Sequence, residues 1–402
     1  MVHLQAIERA AEVLDSAVIK TPLVYSNYFS EKYDAQVYLK LENLQKTGSF
    51  KFRGAYYKLA KIRDQISAGG VVAASAGNHA QGVAHAAHLM GVPAIVVMPE
   101  WASISKQMAA RSYGAQVILS GKSLTESLTH ARKLEEEGCT FIHPYDDEDI
   151  ITGQGTIGLE ILSELPEVDS IIVPIGGGGL IAGVAVAVKS PRPQATVIGV
   201  QTATCASALA ARRLGKPVAI SARKSLADGI SVKQTGKLTF TVIERLVDDI
   251  VTVEEDQIAA AMLELLERKK VLAEGAGAVP LAALAGDRLR CLPGSAVVLI
   301  ISGGNVDSHL LGRILHQGLF RTGRFLRFSV QLEDIPGSLA ELLNVVGGHQ
   351  GNVLHIHHDR MGRHLPLGLS RVEVEVETRD SKHIEQLMDA LTSRGYEVAI
   401  SR

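Results

Sequence analysis

The sequence is poor in aromatic residues, in cysteine and in net charge. Aromatics supply 4% of its 402 residues, with one tryptophan, while hydrophobic residues together reach 46%. The core must therefore be assembled from Ala, Val, Ile and Leu at close helix and strand contacts, which suits a parallel α/β protein. Cys139, Cys205 and Cys291 have neither a metal-type spacing nor the even count of a disulfide framework, and read as reduced core thiols. With 41 basic and 43 acidic residues the formal charge is -2, which gives no electrostatic footprint for nucleic acid or an anionic membrane and makes a small molecule the default partner. No uncharged apolar run approaches the roughly 20 residues of a membrane span. The opening stretch MVHLQAIERAAEVLDSAV lacks a basic-then-apolar signal pattern, so a cytoplasmic protein is expected.

What the sequence does have is alternation. The apolar runs VYLKLE, GVVAASAGN, PAIVVMP, AQVILSG, TFIHPYD, SIIVPIGGGG, ATVIGVQ and AVVLIISGGN mostly end in Gly, Pro, Asn or Asp, and Ala- and Leu-rich helical stretches such as HAQGVAHAAHLM separate them. This pattern predicts parallel strands covered on both faces, with ligands gathering at the carboxyl ends of strands. After about residue 322 the order becomes βαββαβ. There Val372, Val374 and Val376 alternate with Glu373, Glu375 and Glu377, the period of an antiparallel strand with one wet face. A ferredoxin-like module is expected. The domains are placed at 1–322, with a smaller subdomain at roughly 43–150, and at 323–402, with HQGLFRTGR as the linker.

Four Gly/Ser/Asn-rich loops follow predicted strands: TGSFKFRG (47–54), SAGNHAQG (75–82), GGGG (176–179) and SGGN (302–305). The run Gly176, Gly177, Gly178, Gly179 precedes the small-residue helix LIAGVAVAVK, so free amides and a positive helix end converge on one place suited to a phosphate. A dinucleotide fold is the competing interpretation, since Gly177, Gly179 and Ala182 meet a loose GxGxxA. It wants an acid at the end of the next strand, and ATVIGVQ ends in Gln201. Lys51, flanked by Phe50 and Phe52 in sequence, would be partly desolvated, which lowers its pKa and frees a neutral amine to attack a carbonyl; the bland alternative is a surface lysine at a helix start. A phosphate site and an amine that takes an aldehyde together describe pyridoxal phosphate.

The motifs SFKFRGA, SAGNHAQG, GGGGL and SGGN, in that order and with these separations, resemble the fold-type II pyridoxal-phosphate enzymes. Within them the chain is most similar to the threonine ammonia-lyases (threonine dehydratases) that carry a C-terminal ACT domain. The resemblance runs from KTPL at 20–23 through GQGTIGLE at 153–160 to AEGAGA at 273–278. It implies two open parallel-type α/β subdomains, tryptophan synthase β-like, followed by the ACT regulatory domain. It also implies that Lys51 carries pyridoxal 5'-phosphate as a Schiff base and later moves the substrate's α-proton. Phe50 would pack on the pyridine ring, Asn78 would meet the ring hydroxyl, Gly176 to Gly179 would hold the phosphate, Ser302 would meet the ring nitrogen, and Glu274 would lie close to the ring. Ser75, Ala76, Gly77, Asn78 and His79 would offer backbone amides to the substrate carboxylate.

The same resemblance gives the expected reaction, β-elimination of water from L-threonine or L-serine to a 2-oxo acid and ammonia, in isoleucine biosynthesis or threonine catabolism. A serine hydroxyl at Ser302, unlike a carboxylate, does not keep the ring nitrogen protonated, so a long-lived carbanion is disfavoured and a β-substituent is expelled. Ala76 stands where the similar serine racemases place a second proton-transferring serine, so racemisation should be poor. Gln201, Cys205 and Ser207 lack the hard oxygen ligands those racemases use for a divalent ion, and no metal is expected. His355, His357 and His358 show no further ligand, which favours a solvated or interface face. In LEDIPGSLAELL (332–343) the turn at Pro336 and Gly337 would open a helix whose amides take an amino-acid effector, a pure dimerisation module being the alternative. Homodimers or homotetramers are usual in the family. A β-replacing synthase of the same fold and a non-catalytic amino-acid sensor compete with this interpretation; His79 stands where the sulfide-using synthases have threonine, and the intact site argues against a sensor.

Overall fold

The computed structural model describes residues 2–286, 289–362 and 365–400. The chain forms two compact units, Met1–Asp307 and Ser308–Arg402. In the first, strands β1 (Leu23–Tyr25), β2 (Gln36–Lys40), β3 (Val71–Ala74), β4 (Ala94–Met98), β5 (Gln116–Leu119), β6 (Thr140–Phe141), β7 (Ser170–Pro174), β8 (Thr196–Thr202), β9 (Asp249–Val253) and β10 (Ala296–Ile300) alternate with helices. They build two sheets, a six-stranded one in the order β1-β2-β10-β7-β8-β9 and a four-stranded one in the order β5-β4-β3-β6. The eight predicted runs fall on β2 to β8 and β10. Two strands were not foreseen: β1, which pairs antiparallel with β2, and β9, which borders β8 in parallel. Both lie at the edges of the larger sheet, where β1 has only three residues and β9 opens on Asp249, so neither shows the apolar run of a central strand.

Burial follows composition. Ala296 to Ile300 in β10 and Ile171 to Pro174 in β7 are buried, as a strand covered on both faces must be. The helix Gly179–Lys189 is buried from Gly179 to Val188, because a helix that is apolar all round has no wet face to offer. Small residues permit close helix contacts: a Cβ on Gly54 would come 2.8 Å from the Ile150 carbonyl, and one on Gly153 2.7 Å from the Gly54 Cα. This glycine pair brings the helix that begins at Lys51 (Lys51–Ile62) against the helix Glu148–Glu164.

In the second unit, β11 (Phe325–Glu333), β12 (Asn352–Asp359), β13 (Leu369–Glu377) and β14 (Val398–Ile400) form an antiparallel sheet in the order β12-β13-β11-β14. Helices Ser338–Gly348 and Ser381–Ser393 lie between the strands in sequence, giving the expected βαββαβ order. Val372, Val374 and Val376 pack with Phe328, Val330, Leu342 and Leu387. His355 stands opposite Glu375, and His357 opposite Glu373. The stretch HQGLFRTGR is largely helical, since the helix Ser308–Arg321 runs through most of it.

Candidate active site

Backbone pairing brings the first and fourth loops together. The Phe50 amide donates to the Ser302 carbonyl (3.1 Å) and the Gly304 amide to the Gly48 carbonyl (2.9 Å), while Ser49 and Gly303 form an isolated antiparallel bridge. Ser302, just beyond β10, is buried. The second loop closes on this pair. Asn78 opens the helix Asn78–Met90, and its Nδ2 donates to Glu274 Oε1 at 2.7 Å. Asn305 Nδ2 donates to Asn78 Oδ1 at 2.8 Å. A Cβ on Gly82, one turn along that helix, would come 3.1 Å from the Lys51 carbonyl carbon.

The glycine loop reaches Lys51 through a segment the motifs did not flag. Lys51 Nζ donates to the Pro144 carbonyl at 2.8 Å. The next residue, Tyr145, lays its ring on the loop, so a Cβ on Gly177 would meet that ring at 2.2 Å. Gly178 has φ +102, a left-handed conformation that favours glycine, and it turns the chain into the helix Gly179–Lys189. Thr239 Oγ1 donates to the Gly177 carbonyl (2.7 Å) and the Gly236 amide donates to the same oxygen (3.2 Å). The amides that open this helix have no acceptor within it.

Electrostatics set the amine apart. Burial lowers the Lys51 pKa to about 8, against a smaller lift from Glu274. Burial also raises Glu274 to about 8, with the Asp228 carboxylate pushing the same way, so near neutral pH Glu274 carries its proton. The Phe50 ring lies 5.2 Å from Lys51 Nζ. Phe52 turns away into the core beside Tyr56 and His85, so the two aromatic neighbours do not sandwich the amine in space. His79 is buried with Nε2 on the Ile142 carbonyl (2.9 Å), and burial drives its pKa to about 3. Its imidazole is therefore neutral and spent on the backbone. Ser75 Oγ accepts from the Gly77 amide (3.2 Å), and the Ala76 methyl packs against the core of the smaller sheet.

Among the described residues no group of three or more His, Cys, Asp or Glu is placed to hold a metal ion. Gln201 has another use: its Oε1 accepts from the Ala208 and Leu209 amides (2.9 and 3.0 Å) at the start of the helix Ser207–Leu214. Pro144, Tyr145 and Thr235 were not singled out in the sequence. HPYD at the end of TFIHPYD gave a signal for the first two, while Thr235 had none.

The residues fit pyridoxal phosphate. Ser49 Oγ and Thr47 Oγ1, buried beside Lys51 in sequence, and Thr235 Oγ1, beside the glycine loop's partner Gly236, have no hydrogen-bond partner within the protein. Such orphaned buried hydroxyls are uncommon unless a ligand engages them. The half-buried Lys51 amine, with its lowered pKa, completes the donor set.

Comparison with known proteins places the chain in a class. The chain belongs to the pyridoxal-phosphate dependent enzymes, whose family matches residues 14–303, and an ACT domain matches residues 327–395. Within that class it is 47% identical to the L-threonine ammonia-lyase of Thermotoga maritima over 401 residues, 100% of both chains. Among solved structures, the processed form of threonine deaminase isoform 2 from Solanum lycopersicum is 35% identical with a TM-score of 0.73, covering 78% of this chain and 86% of that one. Maize serine racemase is 34% identical with a TM-score of 0.75, covering 80% and 98%.

Proposed function

We infer that Lys51 is the group that exchanges protons with the substrate in a pyridoxal-phosphate dependent threonine ammonia-lyase. The enzyme removes water from L-threonine, and from L-serine, and releases 2-oxobutanoate or the shorter 2-oxo acid with ammonia. The bound cofactor supplies an electron sink that makes the substrate's α-proton acidic. The observation that carries the reading is the Lys51 amine, half-buried, of lowered pKa and hydrogen-bonded to the Pro144 carbonyl. Near neutral pH such an amine holds a larger neutral fraction than an ordinary lysine, so it can take up the α-proton and return it.

In this reading the amides of Gly176 to Gly179 hold the phosphate, Ser302 meets the ring nitrogen, Asn78 the ring hydroxyl, and Phe50 one edge of the ring. The loop Ser75 to His79 offers its first-turn amides to the substrate carboxylate. Ala76 carries no proton, so one base acts on one face and the L-isomer is consumed. The second domain, spanning the ACT region, suits an amino-acid effector, and the chain works as a homodimer or homotetramer in the cytoplasm. No helix among the described residues is long and apolar enough to cross a membrane.

A coupled assay of 2-oxobutanoate from L-threonine, with L-serine alongside and with isoleucine, valine or serine added as effectors, tests these points. Turnover of threonine that vanishes in Lys51→Ala is expected. Full activity in that variant would sink the assignment, and threonine kinetics and thermal stability indifferent to all three amino acids would sink the effector site.

A further inference from the structure

We propose that Asn305 is a positioning residue that decides which end of the Asn78 amide faces the cofactor. The proposal rests on the reading that Asn78 meets the cofactor's ring hydroxyl. A side-chain amide has a donor end and an acceptor end of nearly the same shape, and its hydrogen bonds select between them. Here the selection starts from a group without choice. Asn305 Nδ2 donates to the Thr47 carbonyl at 2.8 Å, and a backbone carbonyl only accepts. The nitrogen end of Asn305 is thereby fixed, and its other N–H reaches Asn78 at 2.8 Å. The atom of Asn78 that receives it must be the oxygen, so Asn78 turns its nitrogen towards Glu274 and the site.

Glu274 does not make this selection by itself. A carboxyl that keeps its proton to about pH 8 can accept from an amide nitrogen or donate to an amide oxygen, so it satisfies Asn78 in either orientation. Asn305 breaks the symmetry. The chain also makes room for it: a Cβ on Gly48 would sit 2.3 Å from Asn305 Oδ1, and Gly48 has φ +71. The Gly48 carbonyl in turn accepts the Gly304 amide, which seats the SGGN loop against the turn that leads to Lys51. An N–H presented to the ring oxygen favours its anion, whereas a carbonyl presented there favours the protonated oxygen.

The test uses the loaded enzyme and reads the absorption band of the bound cofactor and its dissociation constant across neutral pH. The variants are Asn78→Ala, Asn305→Asp, Asn305→Ala and the Asn78→Ala/Asn305→Asp double. Aspartate keeps the size of Asn305 but replaces the donor by an acceptor, so Asn78 should turn round. The band of Asn305→Asp is expected to shift towards its shorter-wavelength form, with cofactor binding weakened about tenfold. Asn305→Ala, which adds no charge, should shift the band less in the same sense, and serves where aspartate prevents folding. In the Asn78→Ala background the Asn305 change should leave the band where it is, because a positioning residue acts through its partner.

A band like the parent's in both Asn305 variants, or the same shift with and without Asn78, overturns the proposal, as does an effect confined to thermal stability. A shift in Asn78→Ala with none in Asn305→Asp sinks the proposal alone. An unchanged band in Asn78→Ala sinks the Asn78 reading and this proposal with it.

Discussion

Lys51 and Arg53 stand two residues apart at the start of one helix, both drawn out of water, and the fold treats them in opposite ways. Arg53 is fully buried and lies between two carboxylates, 2.8 Å from each oxygen of Glu42 and 2.6 and 2.9 Å from those of Glu160. Lys40, also fully buried, shares Glu160 at 2.6 Å. Burial opposes charge at Arg53, but Glu42 and Glu160 outweigh it and hold the guanidinium above its usual range. Burial likewise presses the Glu42 carboxyl upward, and Arg53 holds it below the usual carboxylate range. Lys51 donates to the Pro144 carbonyl and draws only a small lift from Glu274, so desolvation prevails and its pKa drops to about 8. Pairing, more than depth, decides whether a buried cation stays inert or becomes a base. The paired cation anchors the helix that carries the unpaired one.

The largest break in this contrast is Lys51→Ala. Removing the base should lower the rate of 2-oxobutanoate formation on the order of 10⁴-fold or more, with little change in chemical denaturation. Next is Arg53→Met, which strands Glu42 and leaves Glu160 to Lys40 alone. Breaking a buried pair by removing one partner costs about 3–5 kcal/mol, so the denaturation midpoint should fall sharply while the Lys51 pKa stays near its parent value. A Lys51 pKa that moved with Arg53 would merge two regions held apart here.

The Lys51 side of this contrast was legible in the sequence, and the Arg53 side was not. SFKFRGA marked a lysine at a helix start, and the glycine-rich strand-end loops pointed to one candidate site, where the first, second and fourth meet in the fold. The Pro144 carbonyl and the Tyr145 ring act by backbone and by shape, so their one trace was HPYD at the end of a strand run. The Arg53 cluster draws on Glu42 and Glu160, about 118 residues apart in sequence, and no spacing rule joins them. Adjacent residues on a helix point to different sides, so Phe50 meets the Lys51 amine while Phe52 turns into the core. The linker expectation at HQGLFRTGR failed to register a helix whose apolar positions are interrupted by Gly312, Arg313 and Gly318.

A finer test concerns Glu274. It keeps its proton to about pH 8 in the fold, against an ordinary value of 4.5. Between those limits the native state binds more protons than the unfolded chain, so stability contributed by this group is full below 4.5 and is lost as pH rises through 8. Glu274→Gln should flatten that slope. Relative to the parent it should gain about 1–3 kcal/mol above pH 8 and nothing below 4.5, measured by urea unfolding at several pH values. The smallest expected effect is in Ala76→Ser, which puts a hydroxyl on the SAGN loop. Conversion of L-serine to its D-isomer should become detectable by chiral chromatography, with threonine elimination changed by less than about tenfold.

The claim that unpaired burial makes Lys51 a base is tested most directly by titrating that one amine in the cofactor-free protein. Its labelling rate by a small acylating reagent, read by mass spectrometry on the peptide that carries Lys51, should rise through a midpoint near pH 8. A midpoint at the ordinary lysine value of 10.5 would contradict the account.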